Sequence, residues 1–235
     1  MTLAHLRVAG WVRRYVVTIG VGLLLSACGP ATAPLGAAPT PKPTPNTLDL
    51  KLWTVSAVGT GPTATQANGG IDLVIPAGAV QDPKQGNLAI NLSTSCQLTG
   101  DFDLQLDYTL VKWPARNSVR VGMAAGHYSA HRSSNTGTIA GSVADNLYVT
   151  DFAGTLTSVG TQDTTGRLRL TRVGATITGY YHSSGAWVKI SSAAAPTEPM
   201  SYGIAAWTDY NTVVKSDVSV NVKNLTVAPP PSGCS

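Results

Sequence analysis

The strongest constraint on the fold is a two-residue alternation of apolar and polar side chains over residues 102–111. Apolar residues occupy every second position from Phe102 to Leu110, with aspartate, glutamine and threonine between them. Successive side chains of a β-strand point to opposite faces, so this pattern predicts a strand with one buried face. A slip of one residue would bury Asp103 and Asp107, which makes the register well specified. No segment from residue 48 to residue 228 shows a convincing helical period, and an all-β domain is therefore predicted.

Other short alternating segments are separated by Gly, Asn, Asp, Ser and Pro, residues that favour turns. Residues 167–173 and 175–181 alternate on either side of Gly174 and predict a hairpin. Within residues 218–227 the apolar positions change from even to odd numbers, which predicts a bulge near Lys223 and Asn224. The predicted strands number about a dozen, which favours a two-sheet antiparallel sandwich.

The first 27 residues have the composition of an export signal. Three arginines precede an apolar run over residues 15–25, which ends in Leu25-Ser26-Ala27-Cys28. The run is about 11 residues long, whereas a helix needs roughly 20 to cross a bilayer, so a secretory signal fits better than a membrane span. The final quartet resembles the lipobox of bacterial lipoproteins. This resemblance implies that Cys28 is the first residue of the mature protein and carries a lipid anchor.

Removal of residues 1–27 changes the charge of the chain. The whole sequence has 16 Lys and Arg against 12 Asp and Glu, and the signal holds three of the arginines and none of the acids. The mature chain thus has 13 basic residues against 12 acidic ones, a formal charge of +1 rather than +4. No basic run with interleaved aromatics follows Cys28, so nucleic acid is excluded as a partner.

Four parts are expected along the chain. A lipoprotein signal peptide covers residues 1–27, and residues 28–47 hold the lipidated cysteine and a linker rich in Pro, Ala and Thr. Such a composition favours extended polyproline conformations and acts as a tether. One β-sandwich domain covers residues 48–228, a typical domain length, and residues 229–235 form a C-terminal tail. The anchor would hold this domain on the membrane outside the cytoplasm, at the cell surface or in the periplasm.

Cys96 and Cys234 remain after lipid attachment at Cys28. Disulfides persist outside the cytoplasm, so these two cysteines can form one bridge. The alternative is a pair of independent free thiols.

Four segments within residues 96–227 resemble the concanavalin A-like lectin/glucanase superfamily. They are a Gly-Asp-Phe strand (98–107), a hairpin followed by Trp-Val-Lys-Ile (167–190), a Gly-Ile-Ala strand (202–207) and a closing strand ending in Asn-Leu-Thr-Val (218–227). The resemblance implies a jelly-roll sandwich with the closing strand antiparallel to the Gly-Asp-Phe strand. That topology would bring Cys96 near Cys234. It also implies that Trp187 packs in the core.

The sequence lacks the catalytic motif of the glucanases in this superfamily. These enzymes use two glutamates in an E-x-D-x-x-E pattern, with carboxyl groups about 5–5.5 Å apart. This chain has a single glutamate, Glu198, in a proline-bounded segment. Asp103 and Asp107 share a strand face, but their Cα atoms would lie about 13 Å apart. There is also no Gly-x-Ser-x-Gly elbow. We therefore expect a protein that is not an enzyme.

A sugar ligand is bound by aromatic rings that stack on its C–H faces and by Asn, Asp and main-chain hydrogen bonds. Jelly-roll topology would cluster the loops that carry the candidate contact residues, which are Trp113, His127, Tyr128, Trp207, Asp209, Tyr210 and Asn211. The alternative places Trp113 and Trp207 in the core, although alternation puts Trp207 on the face opposite Ile204. Residues 126–131 are expected in a loop, with both of their histidines at the surface.

No cofactor is expected, with calcium as an alternative. Calcium prefers roughly six to eight oxygen ligands, and the candidate oxygens belong to Asp145, Asn146, Asp151, Asp209 and Asn211. The sequence contains no contiguous acidic loop of the calcium-binding type.

We therefore expect a lipid-anchored, extracytoplasmic β-sandwich that acts as a non-catalytic glycan-binding or recognition module, with a polysaccharide as its ligand. One alternative is a glycoside-processing enzyme with an active site unlike that of the glucanases. Another is a structural or adhesive envelope protein.

Overall fold

The computed structural model describes residues 48–209 and 214–234. One turn of 3₁₀-helix (Leu50–Leu52) precedes fourteen strands. The strands are β1 (Thr54–Val58), β2 (Thr63–Ala67), β3 (Gly70–Ile75), β4 (Ala89–Leu98), β5 (Phe102–Lys112), β6 (Val119–Ala125), β7 (Tyr128–Ser134), β8 (Asn146–Phe152), β9 (Thr155–Gly160), β10 (Thr165–Val173), β11 (Thr176–Ser183), β12 (Ala186–Ala194), β13 (Met200–Thr208) and β14 (Val218–Ala228). The signal segment, Cys28, the linker to residue 47, Tyr210 and Asn211 lie outside the described residues.

The strands form two antiparallel sheets of seven. The first sheet has the order β1-β4-β13-β6-β7-β8-β9, and the second has the order β12-β11-β10-β5-β14-β3-β2. Apolar residues from the inner faces of both sheets form one core, so the predicted two-sheet sandwich is confirmed. Within the described residues, no helix has the length and apolarity needed to cross a membrane.

The alternation in β5 has the predicted structural consequence. Its apolar positions from Phe102 to Leu110 are all buried in the core. The predicted hairpin is also confirmed, because β10 and β11 are antiparallel neighbours with Val173 opposite Thr176. Three strands were not predicted, namely β2, β7 and β9, and β7 begins at Tyr128 in the segment that was expected to be a loop.

The closing strand lies where the family resemblance placed it. Strand β14 runs antiparallel to β5, and its register shifts between Lys223 and Thr226. Asn224 has a φ of 50° within this interval, which confirms the predicted bulge.

A disulfide joins Cys96 to Cys234, with the Cα atoms 4.2 Å apart. The free-thiol alternative is therefore wrong. The tail also pairs with β4, since Gln97 and Ser232 exchange backbone hydrogen bonds of 2.7 and 3.0 Å. The residues after β14, which belongs to the second sheet, are thereby fixed to a strand of the first sheet.

Candidate functional site

The outer face of the first sheet carries a groove of about 270 Å³. Its floor consists of small residues on two adjacent strands: Gly203 and Ala205 of β13 lie opposite Ala124 and Gly122 of β6. We call this depression the outer groove. Its lining is largely apolar, and the polar residues and the one indole that contribute to it are Asn91, Ser93, Thr94, Ser129, Ser201 and Trp207.

The floor of the outer groove has no room for larger residues at its two glycines. A Cβ at Gly122 would lie 2.3 Å from the Ala130 carbonyl oxygen and 2.5 Å from the Cβ of His131. A Cβ at Gly203 would lie 2.7 Å from the Leu92 carbonyl oxygen. All three distances are below van der Waals contact, so the depression depends on glycine at these positions.

Trp207 is half-buried at one end of the outer groove. Its ring contacts the His131 ring edge-to-face, with the centroids 5.1 Å apart. In register it lies opposite Arg120 of β6, and Arg120 forms an ion pair with Asp209. The backbone N–H of Asp209 donates to the Ser118 carbonyl oxygen at 3.1 Å. These contacts hold the indole at the rim, and its outward orientation confirms the alternation argument.

His131 is buried beneath this rim with only 2% of its surface exposed. Its Nδ1 lies 3.3 Å from Ser129 Oγ, and its Nε2 has no hydrogen-bond partner among the described residues. Burial, and secondarily the charge of Arg120, lowers its pKa to about 3. The imidazole is therefore neutral at physiological pH, and the expectation of a surface histidine is wrong for this residue.

The structure does not bring all the predicted contact residues together. Among the candidates that the structure describes, Trp207 lines the outer groove, and Asp209 lies near it through its ion pair with Arg120. His127 is exposed in the turn after β6, about 17 Å along that strand from the position opposite Trp207. Tyr128 is 8% exposed, and its hydroxyl donates to the Ala194 carbonyl oxygen at 3.2 Å. Trp113 is half-buried against the core, and its Nε1 donates to Asn146 Oδ1 at 3.1 Å.

Sequence reasoning missed the groove floor and His131. A signal for the floor is present, because Gly122 and Ala124 alternate with the buried Val121 and Met123. Small residues on an outward face mark a depression when the adjacent strand also has small residues there. The pairing of β6 with β13 was needed to show this.

The two strand aspartates considered for catalysis are both paired with arginines. Arg167 Nε lies 2.7 Å from Asp107 Oδ1. Arg169 binds Asp103 through Nε and Nη2, at 2.9 and 2.7 Å. Their carboxylates are therefore charged partners in ion pairs on the outer face of the second sheet.

Trp187 lies on this same outer face, contrary to the expectation that it packs in the core. It is opposite His182 in register, and the guanidinium carbons of Arg167 and Arg169 lie 5.2 and 5.4 Å from its ring centroid. Ile190 of β12 packs against the core. Trp187 is three positions before Ile190, so the alternation of the strand turns its side chain to the opposite, outer face.

The candidate calcium oxygens that the structure describes, which exclude Asn211, are engaged with other groups of the protein. Asp145 pairs with Arg116 at 3.0 Å, and Asn146 accepts from Trp113. Asp151 Oδ1 accepts from the Gly154 backbone N–H at 2.9 Å. Within residues 48–209 and 214–234, no three His, Cys, Asp or Glu side chains are grouped as metal ligands would be.

No protein-family model and no curated protein matches this chain. Solved structures share its fold at low identity. A functionally unknown protein from Saccharomyces cerevisiae is 13% identical over 77% of this chain and 98% of its own, with a TM-score of 0.53. The exoplasmic/lumenal domain of VIP36, in its Ca²⁺/Man3GlcNAc-bound form, is 9% identical over 77% of this chain and 84% of its own, with a TM-score of 0.52.

A legume lectin-like domain from Entamoeba histolytica is 10% identical over 74% of this chain and 88% of its own, with a TM-score of 0.52. The sandwich described above therefore has the jelly-roll fold of lectin-like carbohydrate-recognition domains.

Proposed function

We propose that this protein is a lipid-anchored, extracytoplasmic glycan-binding module without enzymatic activity, and that the outer groove holds its ligand. The observation that carries the proposal is a floor without large side chains beside a half-buried indole. A second support is that a domain of the same fold, that of VIP36, was solved with Ca²⁺ and Man3GlcNAc bound.

The outer groove matches the chemistry of a sugar ring. A pyranose that lies on the glycine and alanine floor can place its C–H face against Trp207, as sugars do on aromatic rings. Its hydroxyls then reach the amide of Asn91 and the hydroxyls of Ser93 and Ser129. Because His131 packs on Trp207, the indole is already fixed before the ligand arrives, which reduces the entropic cost of binding.

Two observations support a binding module rather than a hydrolase. The carboxylates of Asp103 and Asp107 are each held by an arginine, so neither is placed as one of the two free carboxyl groups that flank the bond in glycoside hydrolysis. Glu198 is exposed, in a segment where its backbone carbonyl accepts from Arg172. A single exposed glutamate has no second glutamate to act with it.

The binding test is an array of neutral and acidic glycans, followed by titration of the best neutral ligand. Trp207→Ala should lower the affinity about tenfold, in line with the value of an aromatic contact. Trp187→Ala, which removes an indole from the opposite sheet, is the matched control and should leave this affinity unchanged. Ala124→Leu fills the floor while it retains the indole, and it should also weaken binding.

Three results would contradict the proposal: no binding of the native protein to any glycan, binding that survives both groove variants, or turnover of a bound glycan. Because the described residues contain no group of potential metal ligands, we expect EDTA to leave the affinity unchanged. Circular dichroism of each variant checks that the sandwich is folded.

The lipid anchor rests on the resemblance of residues 25–28 to a lipobox. We propose that residues 1–27 are removed, that Cys28 is acylated and that residues 29–47 tether the sandwich to the membrane. Detergent-phase partitioning of the bacterially expressed protein tests this, with Cys28→Ser as the variant. The native chain should enter the detergent phase and the variant should not; equal partitioning would contradict acylation at Cys28.

A further inference from the structure

We infer that the second sheet carries another binding site, suited to a sugar residue that bears a carboxylate. The site is a polar cavity of about 520 Å³ where the start of β10 and the end of β11 lie beside the middle of β5 and β14. We call it the acidic-sugar cavity. It belongs to the sheet opposite the outer groove, and it does not depend on that groove being a glycan site.

The acidic-sugar cavity presents hydrogen-bond donors that have no protein partner. Lys223 Nζ and the His182 ring line the cavity, and neither forms a hydrogen bond or ion pair in the part of the chain that the structure describes. Arg167 uses Nε for Asp107 and Nη2 for Gln105, which leaves Nη1 available. The hydroxyls of Thr165 and Ser183 complete this set.

The carboxylates of the acidic-sugar cavity are already engaged. Asp107 accepts from Arg167 through Oδ1 and from Asn224 through Oδ2, at 2.7 and 2.9 Å. Asp163 Oδ2 accepts from the Tyr148 hydroxyl at 2.9 Å. Free donors therefore exceed free acceptors, and a ligand that supplies acceptors, above all an anionic one, is favoured.

The charge around the cavity suits a monoanion. Arg167 and Lys223 line it, and the buried Arg132 lies behind it, with Nη2 donating to the Asp163 carbonyl oxygen at 3.3 Å. These three cations face the two carboxylates of Asp107 and Asp163, so one positive charge remains. One carboxylate neutralises this charge, whereas a doubly charged phosphate would exceed it.

Gly166 makes room for two buried tyrosine hydroxyls beneath the acidic-sugar cavity. A Cβ there would lie 2.6 Å from the Tyr108 hydroxyl and 2.7 Å from the Tyr148 hydroxyl. The Tyr108 hydroxyl donates to that of Tyr148 at 2.9 Å, and Tyr148 donates onward to Asp163. Burial raises the pKa of both tyrosines, so their hydroxyls stay protonated, and of the two only Tyr108 is among the residues that line the cavity.

Trp187 flanks the cavity through two of the lining residues. Its ring lies 5.2 Å from the His182 ring and 5.2 Å from the Arg167 guanidinium. A guanidinium on the ring face draws on the same π-density that attracts a cationic ligand. The indole face is therefore already engaged by a cation of the protein and offers no site for a cationic ligand. A hexuronic acid, with one carboxylate beside several hydroxyls, meets all of these requirements.

The test compares a hexuronic acid oligomer with its methyl ester, which has the same hydroxyls and no charge, by calorimetric titration of the folded protein. The native protein should bind the acid about tenfold more tightly than the ester, the value of one charge-assisted hydrogen bond. Lys223→Gln should remove this preference, and Lys223→Arg should retain it. Lys84→Gln, at an exposed lysine outside the cavity, is the matched control and should behave like the native protein.

Equal affinity for acid and ester, no binding of either, or an unchanged preference in Lys223→Gln would overturn the assignment. The groove variant Trp207→Ala separates the two proposals. If Trp207→Ala lowers the affinity for the acid and Lys223→Gln does not, the acid binds in the outer groove and the second site is refuted. If only Lys223→Gln lowers the affinity for the acid, the second site is supported, whether or not the outer groove binds a glycan.

Discussion

Replacing His131 with phenylalanine is expected to remove a pH-dependent loss of stability from the sandwich. The imidazole is buried, and its pKa falls from an ordinary 6.5 to about 3 in the folded protein. The unfolded chain has no such burial and binds a proton near pH 6.5. Proton binding therefore favours the unfolded state. The contribution of the neutral His131 to the free energy of unfolding is fully present above about pH 6.5 and is lost as the pH falls toward 3.

The magnitude follows from the two pKa values. Between them, the unfolded chain binds one proton more than the folded chain, which costs about 1.4 kcal/mol of unfolding free energy per pH unit. From about pH 7.5 to about pH 4.5 the native protein should lose about 2–3 kcal/mol through His131 alone. The lower pH still lies above the folded pKa of about 3, so most of the folded protein keeps a neutral imidazole.

Urea unfolding followed by tryptophan fluorescence at both pH values measures this loss in the native protein and in His131→Phe. Aspartates titrate in both proteins, so the difference between the two losses isolates His131. His127→Gln is the control, because His127 is exposed in a turn, and it should keep the native pH dependence. Equal losses of free energy in the native protein and in His131→Phe would refute the reasoning.

Three further substitutions test the packing of the sandwich. Replacing both Cys96 and Cys234 by serine removes a bridge across 138 residues and should cost about 4–5 kcal/mol in urea unfolding; an unchanged midpoint would contradict a bridge in the mature protein. Gly122→Ala places a Cβ 2.3 Å from a carbonyl oxygen and should cost about 1–3 kcal/mol, whereas Gly137→Ala, with open space around it, should be nearly neutral. Arg172→Met leaves three carbonyl oxygens without a donor and should lower the unfolding free energy by about 3 kcal/mol; a stability equal to the native value would contradict these hydrogen bonds.

Strands with one buried face were predictable from the sequence. Strands β5, β10 and β14 each separate core from solvent, so their apolar residues alternate. Strands β2 and β9 are at sheet edges and have no fully buried residue, which removes the alternation. Strand β7 lacks the alternation for the opposite reason, because almost all of its residues are buried on both faces.

The outer faces of β7 and β8 are buried by a segment that is distant from most of their residues in sequence. The segment between these strands folds back over the outer face, where Ile139 packs on Leu147 and Val149 in a small separate cluster. Ser158 of β9 donates to the Ile139 carbonyl oxygen at 3.0 Å, which fixes the segment. No local pattern signals such a cover, so neither β7 nor the burial of His131 could be predicted from adjacent residues.

The same distinction applies to the two candidate sites. The outward direction of Trp207 follows from alternation within β13. The floor of the outer groove requires β6 beside β13, and the acidic-sugar cavity requires Lys223, Arg167 and His182 from three different strands. Sites built across strands depend on the pairing order of the sheets, which short-range periodicity does not contain.

The buried arginines show where position in a strand outweighs residue type. Arg172 is in phase with Leu168 and Leu170, the core residues of β10, and it is fully buried. Residue type alone places an arginine in solvent. Here the aliphatic part continues the core, while the guanidinium donates to the carbonyl oxygens of Gly100, Pro196 and Glu198.

Arg132 repeats this arrangement in the first sheet. It follows Tyr128 and Ala130 on the inner face of β7 with 1% of its surface exposed, and it donates to the carbonyl oxygens of Ser133, Leu147 and Asp163. Both arginines lie near the ends of their strands, where loops cross the end of the sandwich and their carbonyl groups need donors. An arginine at an inward position near a strand end is therefore consistent with the alternation. It marks the place where the core ends and a connecting loop has to be fixed.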